Sequence, residues 1–245
     1  MRMKSTFEIV LIAVNAGLYA GVGYLTFLGI FAPVVGTVRF WPAVVVPAVF
    51  AVVYSPRIGA LGAGLGIFIS DMLIHGDPIL SITVGVTSNI AGFYIIGVLA
   101  RKFAGQHKLS PLPVLLQAVP LAIAVTASWA NIFGDFWTSA IFIAAAALSL
   151  GLSIAYSLYR PAYSGLVAAS SLGLLVGAAI IGLGVWAYSQ YFSLPAVAGG
   201  GQGLPLFAAA IWFLWTYLTE IPFLMILLPP LVAAVRKAVP TMVRQ

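Results

Sequence analysis

Three polar side chains, Asp71, Asn89 and Glu220, interrupt long apolar stretches of this chain. Within a hydrocarbon layer such groups cost a few kcal/mol and usually face a cavity or a partner. Measured from the basic residue that ends each stretch, Asp71 and Glu220 reach similar depths, roughly 21 and 24 Å, and Asn89 lies at about 18 Å. Arg39 opens another stretch from the opposite side and is the expected counter-charge of the two acids. These residues predict a solute-binding pocket or, alternatively, buried salt bridges between helices.

Aromatic residues are expected at the same level, and Trp215 is the candidate for stacking on a flat ring. Trp and Tyr gather at membrane interfaces regardless of function. We favour that explanation for Trp41, Trp137 and Trp212, although Trp41 stays in the candidate set. The predicted solute-binding residues are Arg39, Trp41, Asp71, His75, Asn89, Trp215 and Glu220.

His75 follows Asp71 by four residues, so the two side chains share a helix face. Two ligands do not make a metal site, and we predict none. The chain has no G-x-x-x-x-G-K-[ST] loop and no G-x-S-x-G elbow. We therefore expect no cofactor and no enzymatic activity. Two alternatives stay open: a membrane-embedded enzyme that uses Asp71, His75 and Asp77, and a structural subunit of a membrane complex.

The composition indicates an all-α membrane protein, because 62% of the residues are hydrophobic and only 7% are charged. About 20 apolar residues suffice for one bilayer crossing. Six to eight crossings are predicted within one transmembrane domain. The eight apolar stretches span residues 7–31, 40–55, 58–75, 79–100, 112–132, 137–159, 163–190 and 206–235.

The distribution of basic residues predicts the orientation. Ten of the 11 Lys and Arg residues lie on one side of the stretches, and Arg39 is the exception. By the positive-inside rule both termini and the 101–111 connection are cytoplasmic. The same rule accounts for the net charge of +6, so nucleic-acid binding is not predicted. The first stretch is too long for a signal peptide and is interpreted as a retained helix.

Polar and glycine-rich connections divide the chain. Residues 103–111 form a predicted cytoplasmic hinge between a four-helix part, 1–102, and a C-terminal part, 112–245. The uncharged connection 193–205 contains Gly199, Gly200, Gly201 and Gly203. Loops of this length are either lids or plain flexible connections, and both interpretations stay open.

Small residues at helical spacing mark the first and third stretches. In lipid such stripes allow close helix contact. Spacing alone favours packing within the bundle, and the alternative is a partner interface. The first stripe comprises Ala13, Ala16, Gly17, Ala20 and Gly21, and the third stretch carries Gly59, Gly62 and Gly66.

Residues 13–102 resemble the substrate-binding S component of an energy-coupling factor vitamin transporter. The likeness rests on Ala16-x-x-x-Ala20, on the Val38-Arg39-Phe40-Trp41-Pro42 entry to a segment ending Tyr54-Ser55-Pro56-Arg57, and on Ile69-Ser70-Asp71 followed by Gly76-Asp77-Pro78. The closing segment, from Leu218-Thr219-Glu220-Ile221-Pro222 to Pro229-Pro230, is similar as well.

The resemblance implies a prokaryotic cell-membrane subunit that captures a small vitamin-like solute from outside. It also implies docking through the Ala-x-x-x-Ala face onto a transmembrane coupling subunit driven by two ATPase subunits. The chain departs from the family in having eight apolar stretches rather than six, with the excess within 105–160. Arg2 stands where the cobalt and nickel members carry His, which argues against metal uptake.

Overall fold

The computed structural model of the protein describes residues 2–32, 34–35, 38–106 and 111–238. Lys108, Arg244 and residues 107–110 of the predicted hinge lie outside this part. The elements are α1 (Arg2–Phe27), β1 (Val34–Val35), β2 (Val38–Arg39), α2 (Val45–Val53), α3 (Pro56–Ile74), α4 (Pro78–Lys102), α5 (Leu112–Trp129), α6 (Phe136–Tyr159), α7 (Pro161–Tyr191) and α8 (Phe207–Ala238).

The chain is an all-α, multi-pass membrane bundle, as predicted. Among the described residues, seven helices are long and apolar enough to cross a membrane, and Pro42–Val53 forms a shorter apolar helix. Both α5, with 18 residues, and α6, with 24 residues, are long enough to cross. The strands β1 and β2 form only a two-residue antiparallel hairpin, in which Val34 pairs with Arg39.

Helices α1 and α3 run parallel, because Asn15 lies against Gly62 and Gly23 lies against Ser70, about two turns further along both helices. Residues 28–55 must therefore return the chain across the layer, although α2 itself has only nine residues. The β-hairpin and the 3₁₀ turn Pro42–Val44 supply the remaining length. The second apolar stretch, 40–55, is thus helical over Pro42–Val53 and shorter than the seven helices that could cross a membrane.

Close packing of α1 on α3 depends on glycine. A Cβ at Gly66 would stand 2.8 Å from the Ala16 carbonyl oxygen, so only glycine allows this backbone approach. Asn15 is fully buried at the same contact, and its amide donates to the carbonyls of Ile58 and Gly59 at 3.1 and 3.2 Å. The contact fixes the register of the two helices.

Helix α7 packs antiparallel along α4 and joins the two predicted parts of the chain. A Cβ at Gly92 would stand 3.1 Å from the Gly173 carbonyl, and one at Gly165 would stand 2.6 Å from the Phe103 carbonyl. Helices α3 and α4 are also antiparallel, and so are α7 and α8. The start of α1 and the end of α8 therefore lie on the same side of the bundle. That relation agrees with the predicted placement of both termini.

Prolines inside α8 release backbone acceptors for other helices. Pro229 has no N–H to bond the Met225 carbonyl four residues earlier. The Tyr156 hydroxyl of α6 donates to that carbonyl at 2.7 Å. Helix α6 is thereby fastened to the C-terminal half of α8.

Candidate functional site

All seven predicted solute-binding residues border one cavity of ≈ 800 Å³. Its walls come from α1, the β-hairpin, α3, α4, α7, α8 and the connection between α7 and α8. The cavity lies toward the ends of α1 and α3 that are remote from the chain termini. The residues brought together are Arg39, Trp41, Asp71, His75, Asn89, Trp215 and Glu220.

The β-hairpin carries Arg39 into the bundle. The Trp41 backbone N–H donates to the Thr219 carbonyl at 3.1 Å, so the chain after the hairpin reaches well down α8. Pro222 follows Thr219 by three residues and disturbs the regular bonding of this turn. Sequence reasoning did not predict this depth, because an Arg beside a helix start is compatible with an interfacial position.

Arg39 is not the counter-charge of the acids, contrary to the sequence-based prediction. Arg39 forms no ion pair with any described residue, and the Asp71 carboxylate lies beside His75 instead. Its guanidinium lies over the Phe27 ring, 4.3 Å from the centroid, and its Nε is buried without a hydrogen-bond partner in the described part of the chain. Arg39 therefore adds a positive charge to the cavity wall that no described carboxylate neutralises.

Asp71 is held by neighbours on α3 and α4. Its Oδ2 accepts the Ser81 hydroxyl at 2.6 Å, and its Oδ1 lies 3.5 Å from His75 Nε2. Gly85 stands directly opposite, where a Cβ would come within 2.6 Å of Oδ2. Ser81 and Gly85 belong to a π-helical turn, Ser81–Val86, and such insertions are frequent at functional sites.

His75 connects this carboxylate to the start of α4. Its Nδ1 accepts the Asp77 backbone N–H at 3.1 Å, which leaves the proton of the neutral ring on Nε2, facing Asp71. The Asp77 carboxylate accepts the N–H groups of Ile79 and Leu80, both at 3.0 Å, and the Tyr188 hydroxyl at 2.6 Å.

These contacts leave little capacity for acid–base chemistry at Asp77. Burial favours its neutral form, but the hydrogen bonds from Leu80, Tyr188 and Ile79, with His75 nearby, outweigh burial and lower the pKa of Asp77. In the described part of the chain no three His, Cys, Asp or Glu side chains assemble into a metal-binding group.

Both ends of the Asn89 amide are engaged within the protein. Its Oδ1 accepts the Tyr19 hydroxyl at 2.9 Å, and its Nδ2 donates to the Gly85 carbonyl at 2.9 Å. The Ser88 hydroxyl donates to the same carbonyl at 2.8 Å. Asn89 therefore orients Tyr19, which also borders the cavity and was not predicted.

Glu220, in contrast, has no hydrogen bond or ion pair with any described residue. It borders the main cavity and a neighbouring compartment of ≈ 20 Å³ that Ser88, Asn89 and Thr216 also line. A compartment of this size holds about one water molecule. Glu220 is thus a carboxylate within a membrane bundle with space rather than a partner beside it.

Aromatic rings form much of the apolar wall. Trp41 is wedged against α1, where a Cβ at Gly23 would meet its Cζ2 at 3.0 Å. The ring centroids of Trp212 and Trp215 lie 6.2 Å apart, and those of Phe142 and Trp215 also lie 6.2 Å apart, with an interplanar angle of 69°. Trp41 and Trp212, for which an interfacial position was favoured, both border the cavity. Trp137 is 71% exposed, as an interfacial residue would be.

The glycine-rich connection covers part of the cavity. Its turn Ala196–Ala198 and Gly199 form part of the lining. Two backbone hydrogen bonds hold its base, Leu194 N–H to the Gly201 carbonyl at 2.8 Å and Gly203 N–H to the Ser189 carbonyl at 2.6 Å. The connection therefore covers part of the cavity, and backbone hydrogen bonds hold its two ends together.

The predicted partner stripe on α1 is divided between two faces. Ala16 and Ala20 are only 4% and 5% exposed, because they face the bundle, so their assignment to an exposed docking face was wrong. Ala13, Gly17 and Gly21 are exposed, and a Cβ added at Gly17 or Gly21 would meet no other atom within 4 Å. Fewer small residues of α1 thus face outward than predicted, namely Ala13, Gly17 and Gly21.

A second buried polar group was missed. The Tyr217 hydroxyl donates to Gln117 Oε1 at 3.0 Å, and Gln117 Nε2 donates to the Ser171 hydroxyl at 2.9 Å, with all three side chains buried. The rule that selected Asn89 applies equally to Gln117, an amide within an apolar stretch. The group ties α5 to α7 and α8 behind the cavity wall.

Known proteins add no relative to this description. No protein-family model, curated protein or solved structure matches the chain.

Proposed function

We propose that this chain is the solute-binding membrane subunit of an energy-coupling factor type importer, and that it captures a small vitamin-like or heterocyclic solute from outside. The observation that carries the proposal is that all seven candidate residues border one cavity of ≈ 800 Å³. Ligand pockets have volumes of about 300 to 1,000 Å³, with mostly apolar walls and a few polar groups. Arg39 and Glu220 supply such groups here.

The orientation of the bundle supports capture from outside. The cavity lies at the ends of α1 and α3 remote from Arg2, whereas Arg101, Lys102, Arg236 and Lys237 end their helices on the other side. Basic residues favour the cytoplasmic side. The cavity then belongs to the outer half of the protein, and the 193–205 connection covers it from outside.

The source of the cavity walls supports the likeness to a six-helix S component. None of the described residues between 90 and 180 lines the cavity, and α5 and α6 fall within that interval. This pair coincides with the excess that separates the chain from the family pattern. In the proposal, α1–α4 with α7 and α8 form the binding frame, and α5–α6 is an addition that supports α8.

The proposal places the coupling partner against the outward face of α1. Ala13, Gly17 and Gly21 leave a shallow line there, and small residues allow another helix to approach closely in lipid. A transmembrane coupling subunit with two ATPase subunits would occupy this face in a prokaryotic cell membrane. Ala16 and Ala20 do not belong to this face, because they pack α1 against α3.

Mass spectrometry of small molecules released from the purified protein tests the proposal. We expect a heterocyclic, vitamin-sized compound from the wild type and its loss from Glu220→Gln, which changes a cavity group without changing its size. Arg57→Gln, at the exposed start of α3 on the opposite side, is the matched control and should retain the compound. Release of phospholipid alone, with no uptake or binding of any small solute, would contradict the proposal.

A further inference from the structure

We infer that the solute is amphoteric, with an anionic group held by Arg39, a cationic group held by Glu220 and a flat ring between them. This inference rests on the proposed function, because it describes the ligand of the same cavity. It goes further in assigning a charge pattern to that ligand. The argument depends on which polar groups of the cavity are already satisfied.

Two of the polar candidates are engaged by the protein itself. The Asp71 carboxylate accepts the Ser81 hydroxyl at 2.6 Å and lies 3.5 Å from His75. The Asn89 amide uses its oxygen for Tyr19 and its nitrogen for Gly85, both at 2.9 Å. These side chains form part of the cavity wall, and they already have hydrogen-bond partners without a ligand.

Arg39 is the first group that lacks a partner. It borders the cavity, its Nε is buried without a hydrogen bond in the described part of the chain, and the Phe27 ring covers its guanidinium at 4.3 Å. Guanidinium groups bind carboxylates and phosphates through paired N–H donors. A ligand anion would satisfy donors that the protein leaves open.

Glu220 is the second such group, and its carboxyl group suits a cation rather than an anion. It borders the same cavity and bonds to no described side chain or backbone group. A carboxylate in a membrane bundle is normally paired. A cationic group on the ligand would supply the missing partner and favour the charged carboxylate.

The two free groups are near each other but do not pair. Arg39 lies two residues before Trp41, whose N–H bonds the carbonyl of Thr219, the neighbour of Glu220. Two extended residues span roughly 7 Å, so the backbone positions of Arg39 and Glu220 lie on the order of 10 Å apart. Trp41 and Trp215 border the space as well. A ring with one charged group at each end fits this arrangement.

The arrangement also discriminates against ligands with one charge. A ligand with one charge would leave either the half-buried Arg39 without an anion or Glu220 without a cation, and a carboxyl group enclosed without a partner is unfavourable in its charged form. A neutral ligand would pair with neither group. The cavity should therefore prefer an amphoteric molecule over either singly charged relative.

Four probes with one benzene ring test the charge pattern: para-(aminomethyl)benzoate, para-methylbenzylamine, para-toluate and para-methylbenzyl alcohol. Binding is measured by calorimetry and thermal shift on the full-length protein in detergent. We expect the amphoteric probe to bind at least about tenfold more tightly than each of the others. Arg39→Gln should shift the preference to the amine, Glu220→Gln should shift it to the carboxylate, and Arg57→Gln should change nothing.

Equal binding of the four probes, or an unchanged preference in both variants, would overturn the inference and leave the proposed function standing. A released natural solute with charge of one sign would do the same. If no probe binds, an amphoteric natural solute still supports the inference. Absence of both probe binding and a natural solute contradicts the proposed function itself.

Discussion

Gly85 faces the Asp71 carboxylate so closely that a Cβ on Gly85 would stand 2.6 Å from Oδ2. Gly85→Ala should push Asp71 away from Ser81 and toward the cavity, because the backbone of the π-helical turn cannot yield as readily as the side chain. We expect solute affinity to fall at least about tenfold. Calorimetry with the released natural solute measures the loss.

A matched substitution elsewhere separates this effect from helix propensity. Gly→Ala within a helix is worth up to about 1 kcal/mol of stability. Gly151 lies in α6, and a Cβ there meets no other atom within 4 Å. Gly151→Ala should keep wild-type affinity and melt at the same or a slightly higher temperature. Equal affinity of the two variants would show that the Gly85–Asp71 contact has no role in binding.

The two faces of α1 predict opposite outcomes for enlarged side chains. Gly17→Leu and Gly21→Leu should leave folding and solute binding intact and abolish uptake, because they project from the outward face. Ala16→Leu should lower the melting temperature, since overpacking a buried site costs about 1–3 kcal/mol and Ala16 is only 4% exposed. Uptake in whole cells beside detergent melting curves distinguishes them. Full uptake in both glycine variants would remove α1 as the docking face.

The Gln117–Tyr217 hydrogen bond should stabilise the fold without affecting the solute. Gln117→Leu leaves the buried Tyr217 hydroxyl without its 3.0 Å acceptor, and an unsatisfied buried group costs about 1–3 kcal/mol. Adding Tyr217→Phe removes that group and should restore most of the loss. A double-mutant cycle on melting temperature gives the coupling energy. Strictly additive losses would show that the bond contributes no stability.

Asp77 predicts a pH dependence of stability. Its pKa is lowered in the folded protein, so its stabilising contribution is fully present above the ordinary carboxyl pKa of about 4 and is lost as pH falls through the lowered value. Asp77→Ala should destabilise by about 1 kcal/mol near neutral pH, as loss of a helix cap does. The gap to wild type should narrow below about pH 4. A gap that widens on acidification would reverse the assigned sign.

The sequence predicted the bundle and the residues of the cavity better than it predicted their contacts. Polar residues in apolar stretches carry a strong constraint, and a common depth for Asp71 and Glu220 followed from helical rise alone. Which charged side chains pair with each other could not be predicted from helical rise. Whether Arg39 meets either acid depends on how far the β-hairpin descends, and the bond from Trp41 to Thr219 decides that depth. The hydrophobic periodicity of the sequence does not indicate how far the hairpin descends.

Helix rotation was the other limit. Apolar residues surround α1 on all sides, so the pattern does not state which face meets lipid and which meets α3. The buried Asn15, with its bonds to Ile58 and Gly59, would have oriented the helix correctly. The π-helical turn at Ser81–Val86 has no comparable signal, because its effect is to redirect side chains by one position.

Membrane orientation is the last prediction and decides whether the cavity can face outside. The chain has no cysteine, so single cysteines report accessibility without background. Gln106→Cys and Ser193→Cys are both exposed positions in connections on opposite sides of the bundle. An impermeant thiol reagent added to intact cells should label Ser193→Cys only, and permeabilised cells should label both. Labelling of Gln106→Cys alone in intact cells would show that the protein has the opposite membrane orientation. The cavity would then receive its solute from the cytoplasm.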